Sequence, residues 1–210
     1  RALLGQTLKA HEAEAWRGRS TVSFDVECLK VFGGGVLLKL AVDPGTRSAS
    51  ITEGRTGQHY RYVGAGKTLA PVGADSSYAA ALRTLAPSLV FWSLVPFNLD
   101  DPAAQAWQLS PVTRGGERRN RLAVRWPGSV EWYVFELRAG DSRVAAVEFR
   151  SAGTPALIRW RGEAEGLVRS DGVQLPAAWH FRPAHPGLAL LFGMQDVYTF
   201  RYQAAAAPGA

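Results

Sequence analysis

"VSFDVECLKVFGGGVLLKLAVDPGT" runs from Val22 to Thr46, and its reading decides the fold class. Val22, Phe24, Val26 and Cys28 alternate with Ser23, Asp25 and Glu27. A period of two sends alternate side chains to opposite faces of a strand. FGGG then turns the chain, Val36, Leu38, Leu40 and Val42 resume the alternation, and DPGT is a further turn signal. Connections this short join antiparallel neighbours, because a parallel crossover needs about a dozen residues or more.

The same pattern extends in both directions. SASITEG and HYRYVG are two further short strands. Later, Leu122, Val124 and Trp126 alternate with arginines, PGS leads into VEWYVFELR, and Val147 and Phe149 alternate with Glu148 and Arg150. Ile158 and Trp160 alternate with Arg159 and Arg161, Trp179 and Phe181 lie opposite His180, and VYTFRY is the last strand. That makes ten or eleven strands, each with an apolar and a polar face, and a sheet this long must curl. Helices interrupt it twice. Ala2 to Arg17 reads as one helix with Leu4, Leu8 and Ala15 on a stripe, stopped by Gly18. Mid-chain, no charge occurs from Thr84 to Leu99; a helix capped by Ser76 or Ser77 carries Tyr78, Leu82 and Leu85, and Pro87 opens a second helix that Pro96 ends. A helix apolar all round must be buried or lie against something apolar. The fold expected is mainly β (α+β): a curled, incompletely closed antiparallel barrel with an N-terminal helix and a mid-chain helical lid over the concave face. With no repeat or linker, residues 1–203 form one domain, and 204–210 a disordered tail.

Composition narrows function more by exclusion than by assignment. The chain has 210 residues, net charge +6 and only four lysines beside twenty arginines. The arginines are dispersed along strands, and no nucleic-acid motif accompanies them. The single Cys28, in phase with the apolar face, rules out an intrachain disulfide and a cysteine zinc site. GKT at 66–68 resembles the end of a phosphate loop, but Arg61 stands where the first glycine belongs and Pro71 spoils the helix that should follow. The four histidines have no metal-ligand spacing, and no nucleophile elbow is present. Asp100 and Asp101 read as caps of a turn before Pro102. Glu136 and Glu148 fall on strand faces, and no spacing ties them together. Neither an enzyme nor a cofactor or metal site is expected. No apolar run reaches the ~20 residues that span a bilayer. What remains is the aromatic load of seven Trp, six Tyr and nine Phe. Rings on a curled sheet beneath an apolar helix give either a packed core or an apolar cavity.

Three segments carry a resemblance. LKAHEAEAWRGRSTVSFDVE has a helix with His11 and Trp16 feeding an alternating strand; LVFWSLVPFNLDDP runs from an apolar helix into PF-x-L-x-DP; DGVQLPAAWHFR is a turn, Leu-Pro and a strand. In this order they resemble the superfamily of LolA and LolB, the periplasmic lipoprotein carrier and the outer-membrane lipoprotein receptor. The resemblance implies an apolar cavity for acyl chains under the lid. Its expected lining is Leu89, Phe91, Trp92, Val95, Phe97, Trp126, Trp132, Phe149, Trp160, Trp179 and Phe181. It also implies an envelope protein, periplasmic or outer-membrane-associated; the chain is expected to be a monomer, and its start without Met is read as a leader or lipid anchor removed. Its partners would be a lipid or an acylated protein, with peripheral membrane contact through the Arg-rich outer face. The alternative is a structural or regulatory protein-interaction domain with a packed core and no ligand.

Overall fold

The computed structural model describes residues 2–31, 34–63, 70–72, 77–127, 132–150, 159–170, 172–185 and 198–204. The GKT segment, Ser76, Ile158 and the tail beyond Ala204 lie outside the described residues. Two helices open the chain, α1 (Ala2–Ala10) and α2 (Ala13–Arg17), followed by β1 (Val22–Val31), β2 (Gly34–Asp43), β3 (Ser48–Glu53), β4 (His59–Tyr62) and β5 (Ala70–Val72). Helix α3 (Ser77–Ser93) and a 3₁₀ turn (Phe97–Asp100) cross to β6 (Gln105–Arg114), β7 (Glu117–Arg125), β8 (Tyr133–Arg138) and β9 (Val144–Phe149). The chain finishes with β10 (Trp160–Glu165), β11 (Val168–Ser170), β12 (Val173–Leu175), β13 (Ala178–Pro183) and β14 (Tyr198–Ala204).

Twelve strands form one antiparallel sheet in the order β5-β4-β3-β2-β1-β14-β13-β10-β9-β8-β7-β6, and β11 pairs with β12 apart from it. The end strands β5 and β6 are not hydrogen-bonded neighbours, so the curled sheet is an unclosed barrel. The N-terminal strands join the C-terminal ones through β1 and β14, where Val26 faces Tyr202 and Cys28 faces Phe200. Phe24, Leu38, Leu40, Ile51, Phe135, Leu137, Trp179, Phe181 and Phe200 are buried on the concave side. Cys28 is buried with them, and burial pushes its thiol up to about 12.

Several elements differ from the sequence reading. β6 escapes notice because its apolar residues do not alternate cleanly and Pro111 interrupts them; most of it is exposed on both faces. SDGVQLP is a small hairpin rather than a plain turn, with Gly172 at φ 79°. The first helix is two, because Glu12 takes a left-handed conformation at φ 57°. The buried stripe is Leu3, Thr7 and His11, while Leu4 and Leu8 only pack against the core. The middle helices are one, with Pro87 inside α3. Pro87 is exposed, and its ring lacks the amide that would bond to the carbonyl one turn back. Val95–Pro96 is a cis peptide that follows the helix. Ala204 pairs with Phe24 and so belongs to the last strand.

Candidate functional site

The C-terminal half of α3 lies inside the sheet. Ala86, Leu89, Val90, Trp92 and Ser93 are buried, as are Leu94, Val95, Phe97 and Leu99 beyond it. Trp92 is the hub, with ring centroids 5.0 Å from Phe149, 4.9 Å from Trp179 and 4.8 Å from Phe181. Half-buried Phe91 sits 5.8 Å from Trp126 and 4.9 Å from Tyr133. The Trp126 indole donates to the Asn98 carbonyl at 3.2 Å and ties the 3₁₀ turn to the end of β7. Trp160 packs against the same core. Of the eleven residues expected to line a cavity, only Trp132 stands apart: it is 42% exposed and rests on Trp107, at 4.7 Å. Tyr133 takes the inward place. In EWYVFELR both phases are apolar, so alternation alone cannot choose between Trp132 with Val134 and Tyr133 with Phe135.

At one end of the interior, α2, the 3₁₀ turn and the β2–β3 turn surround a cavity of about 430 Å³. Its apolar walls include Trp16, Pro44, Leu94 and Phe97, and its charged rim is Arg17, Arg19, Arg47, Asp100 and Asp101. Two of the three resemblance segments therefore converge here, with Trp16 and Phe97 rings 4.2 Å apart. Arg17 grips Asp100 bidentately at 2.8 and 2.9 Å, and Arg47 meets Asp101 at 2.5 Å. Asp101 caps its turn as expected, accepting from the Ala103 amide at 2.9 Å. Burial opposes its ionisation, but that amide and the Arg47 guanidinium hold its carboxyl below the usual range. Asn98, 7% exposed, keeps both amide atoms without a hydrogen-bond partner among the described residues, and so does the Trp16 indole nitrogen. The arginines were missed from sequence because their partners lie 83 and 54 residues away.

His11 serves packing. Fully buried, its Nε2 accepts from the Val144 amide at 3.1 Å and fixes the end of α1 to β9. Burial, then Arg143, pushes its pKa down to about 4 against a smaller opposing pull from Asp141. Among the described residues no group of three or more His, Cys, Asp or Glu could hold a metal ion.

Glu136 and Glu148, which no spacing connects, are brought together by Arg161 on the outer face. Its guanidinium meets Glu136 at 2.7 and 2.9 Å and Glu148 at 2.9 Å. Arg119 and Arg114 approach Glu136 at 3.2 and 3.6 Å, and Glu163 joins Arg161 to Arg182. Burial resists charge on Glu136, but the arginines outweigh it and keep its carboxyl below the ordinary range. Four arginines and three glutamates thus form an ionic clamp across β6, β7, β8, β9, β10 and β13.

The unclosed barrel with its inserted helix is a known fold. A LolA superfamily protein from Nitrosomonas europaea superposes with a TM-score of 0.55 at 11% identity, over 99% of this chain and 94% of that one. A candidate outer membrane lipoprotein-sorting protein domain from Vibrio parahaemolyticus gives 0.52 at 12% identity, again over 99% and 94%. A DUF1329 family protein from Desulfovibrio piger gives 0.50 at 8%, over 96% and 90%. No family model and no curated protein matches the chain by sequence. The architecture is thus that of the lipoprotein-sorting fold, while sequence identity is far too low to carry over any residue's role.

Proposed function

We propose that this chain is a non-enzymatic envelope protein that binds the acyl part of a lipid or lipidated protein. One observation carries the reading: the segment from Trp92 to Phe97 plugs the aromatic interior on one side and, through Leu94 and Phe97, walls the charged-rim cavity on the other. Moving that segment outward would join cavity and interior into one apolar groove. A cavity of about 430 Å³ is within the ordinary range for ligand sites, ~300–1,000 Å³. Each acyl methylene entering it would contribute ~0.8 kcal/mol. The superposition on lipoprotein-sorting proteins supports the same reading, as does the absence of any charged side chain from Thr84 to Leu99.

The test is to purify the protein gently from its host envelope, extract it with organic solvent and identify the extract by mass spectrometry. A stoichiometric lipid or acylated peptide is expected, and fatty acids should displace an apolar dye. Phe91→Asp is the informative variant, since Phe91 is half-buried whereas Trp92 is 2% exposed and an aspartate there would unfold the core. Phe91→Asp should abolish dye binding with the sheet intact; unchanged binding removes α3 from the site. The contacts of Trp92 with three rings favour a second reading, a packed interaction domain. An empty extract and no dye displacement would move the assignment to it.

A further inference from the structure

The convex face of the sheet carries a second feature, near the open edge at β6. In antiparallel pairs, directly opposed residues share a face. Trp107 opposes Ala123, which opposes Val134, and Leu109 opposes Arg121, which opposes Glu136. These residues therefore share the outer face with the ionic clamp, where a solvated sheet should be polar. Instead Trp107 and Trp132 are 44% and 42% exposed, in contact with each other, with the Arg125 guanidinium 5.6 Å from the Trp132 ring centroid. They are two of the five large hydrophobic residues exposed among the described ones. From Gln105 to Arg125 the hairpin holds five arginines and one glutamate, so most of the chain's net +6 lies here. On this face Arg114 and Arg119 are engaged with acidic partners, while Arg125 beside the Trp132 ring is exposed. The edge itself is guarded against an added strand: Pro111 lacks a donor, and the pairing of β6 slips between Leu109 and Val112.

We infer that the Trp107–Trp132 pair and the arginines around it form a docking patch for an anionic membrane surface. Tryptophan rings prefer the headgroup level of a bilayer, half apolar and half wet. Arginines beside them would sit among lipid phosphates and be drawn by the negative surface potential. The positive charge complements that surface, and the blocked edge disfavours a partner that adds a strand. The patch adds a membrane contact to the envelope role proposed above without requiring its cargo.

Vesicle co-sedimentation tests it, with phosphatidylglycerol/phosphatidylcholine vesicles against phosphatidylcholine alone. The protein should bind the anionic vesicles, and raising salt from low to high should release it. Trp107→Ser with Trp132→Ser, both at exposed sites, should weaken binding roughly tenfold or more. Arg125→Gln should weaken it by about fivefold. Circular dichroism and dye displacement in the same variants report fold and cargo binding, and both should be unchanged. Equal binding by the tryptophan variant, or equal binding to neutral vesicles, would overturn the patch. Absent vesicle binding together with capture of an acidic protein would reassign it to a protein partner. Loss of dye displacement alone would count against the cargo reading and leave the patch standing.

Discussion

On β8, Phe135 and Leu137 point into the barrel and are fully buried; Glu136 between them points outward and is 1% exposed. Neighbouring strands repeat the contrast. Trp179 and Phe181 of β13 fill the interior beside Trp92, while Arg161 of β10 is clamped among carboxylates outside. Both faces exclude water here, by different physics. The inner face needs volume and shape, and its attractions are non-directional. The outer face needs each charge to keep its partner, because an unpaired buried charge is costly. An ionisable group on the inner side, His11, is kept neutral instead.

The sharpest way to break this contrast is to remove one partner. Arg161→Met should destabilise the protein by ~3–5 kcal/mol, since Glu136 would keep only its longer contacts to Arg119 and Arg114. Urea denaturation measures it, and adding Glu136→Leu should restore most of the loss. A neutral Arg161→Met would mean that the outer face is wet after all.

Acid tests the inner side. With the His11 pKa pushed down from 6.5 to about 4, the unfolded chain binds a proton that the folded one does not. Stability should therefore fall as pH drops through that window, by up to about 3 kcal/mol in all. The clamp adds its own loss only below the usual glutamate value of 4.5, because the Glu136 carboxyl titrates lower when folded. Denaturation midpoints from pH 7 to 5 should thus slope in the native protein and flatten in His11→Gln.

A smaller change probes shape. A Cβ on Gly162 would lie 2.8 Å from Phe181 Cε1, in a ring with no room to retreat. Gly162→Ala should cost ~1–3 kcal/mol by thermal melting, the range for overpacking a core. The smallest effect is expected at the cavity rim, where Asp101→Asn weakens a half-exposed ion pair with Arg47 and should cost less than ~1 kcal/mol. If that variant instead changes dye affinity by tenfold, the rim takes part in binding.

Local sequence pattern suffices for the class of fold and most of the interior. Period-two alternation is a local property, and it placed Val22, Phe24, Trp179 and Phe181 inward and Cys28 among them. The uncharged stretch from Thr84 to Leu99 marked the buried helix for the same reason, since burying that much chain leaves no place for a charge. Alternation reports polarity rather than burial, so it marks the outer face as solvated and gives no sign of the buried Glu136–Arg161 pair. It was also silent where both phases are apolar, as at Trp132 and Tyr133, and where neither is, as along β6. The ion pairs of the cavity rim, the place of His11 against β9 and the convergence of Trp16 with Phe97 were decided by tertiary structure alone. Each joins residues distant in the chain, and only closure of the sheet around α3 brings them within reach.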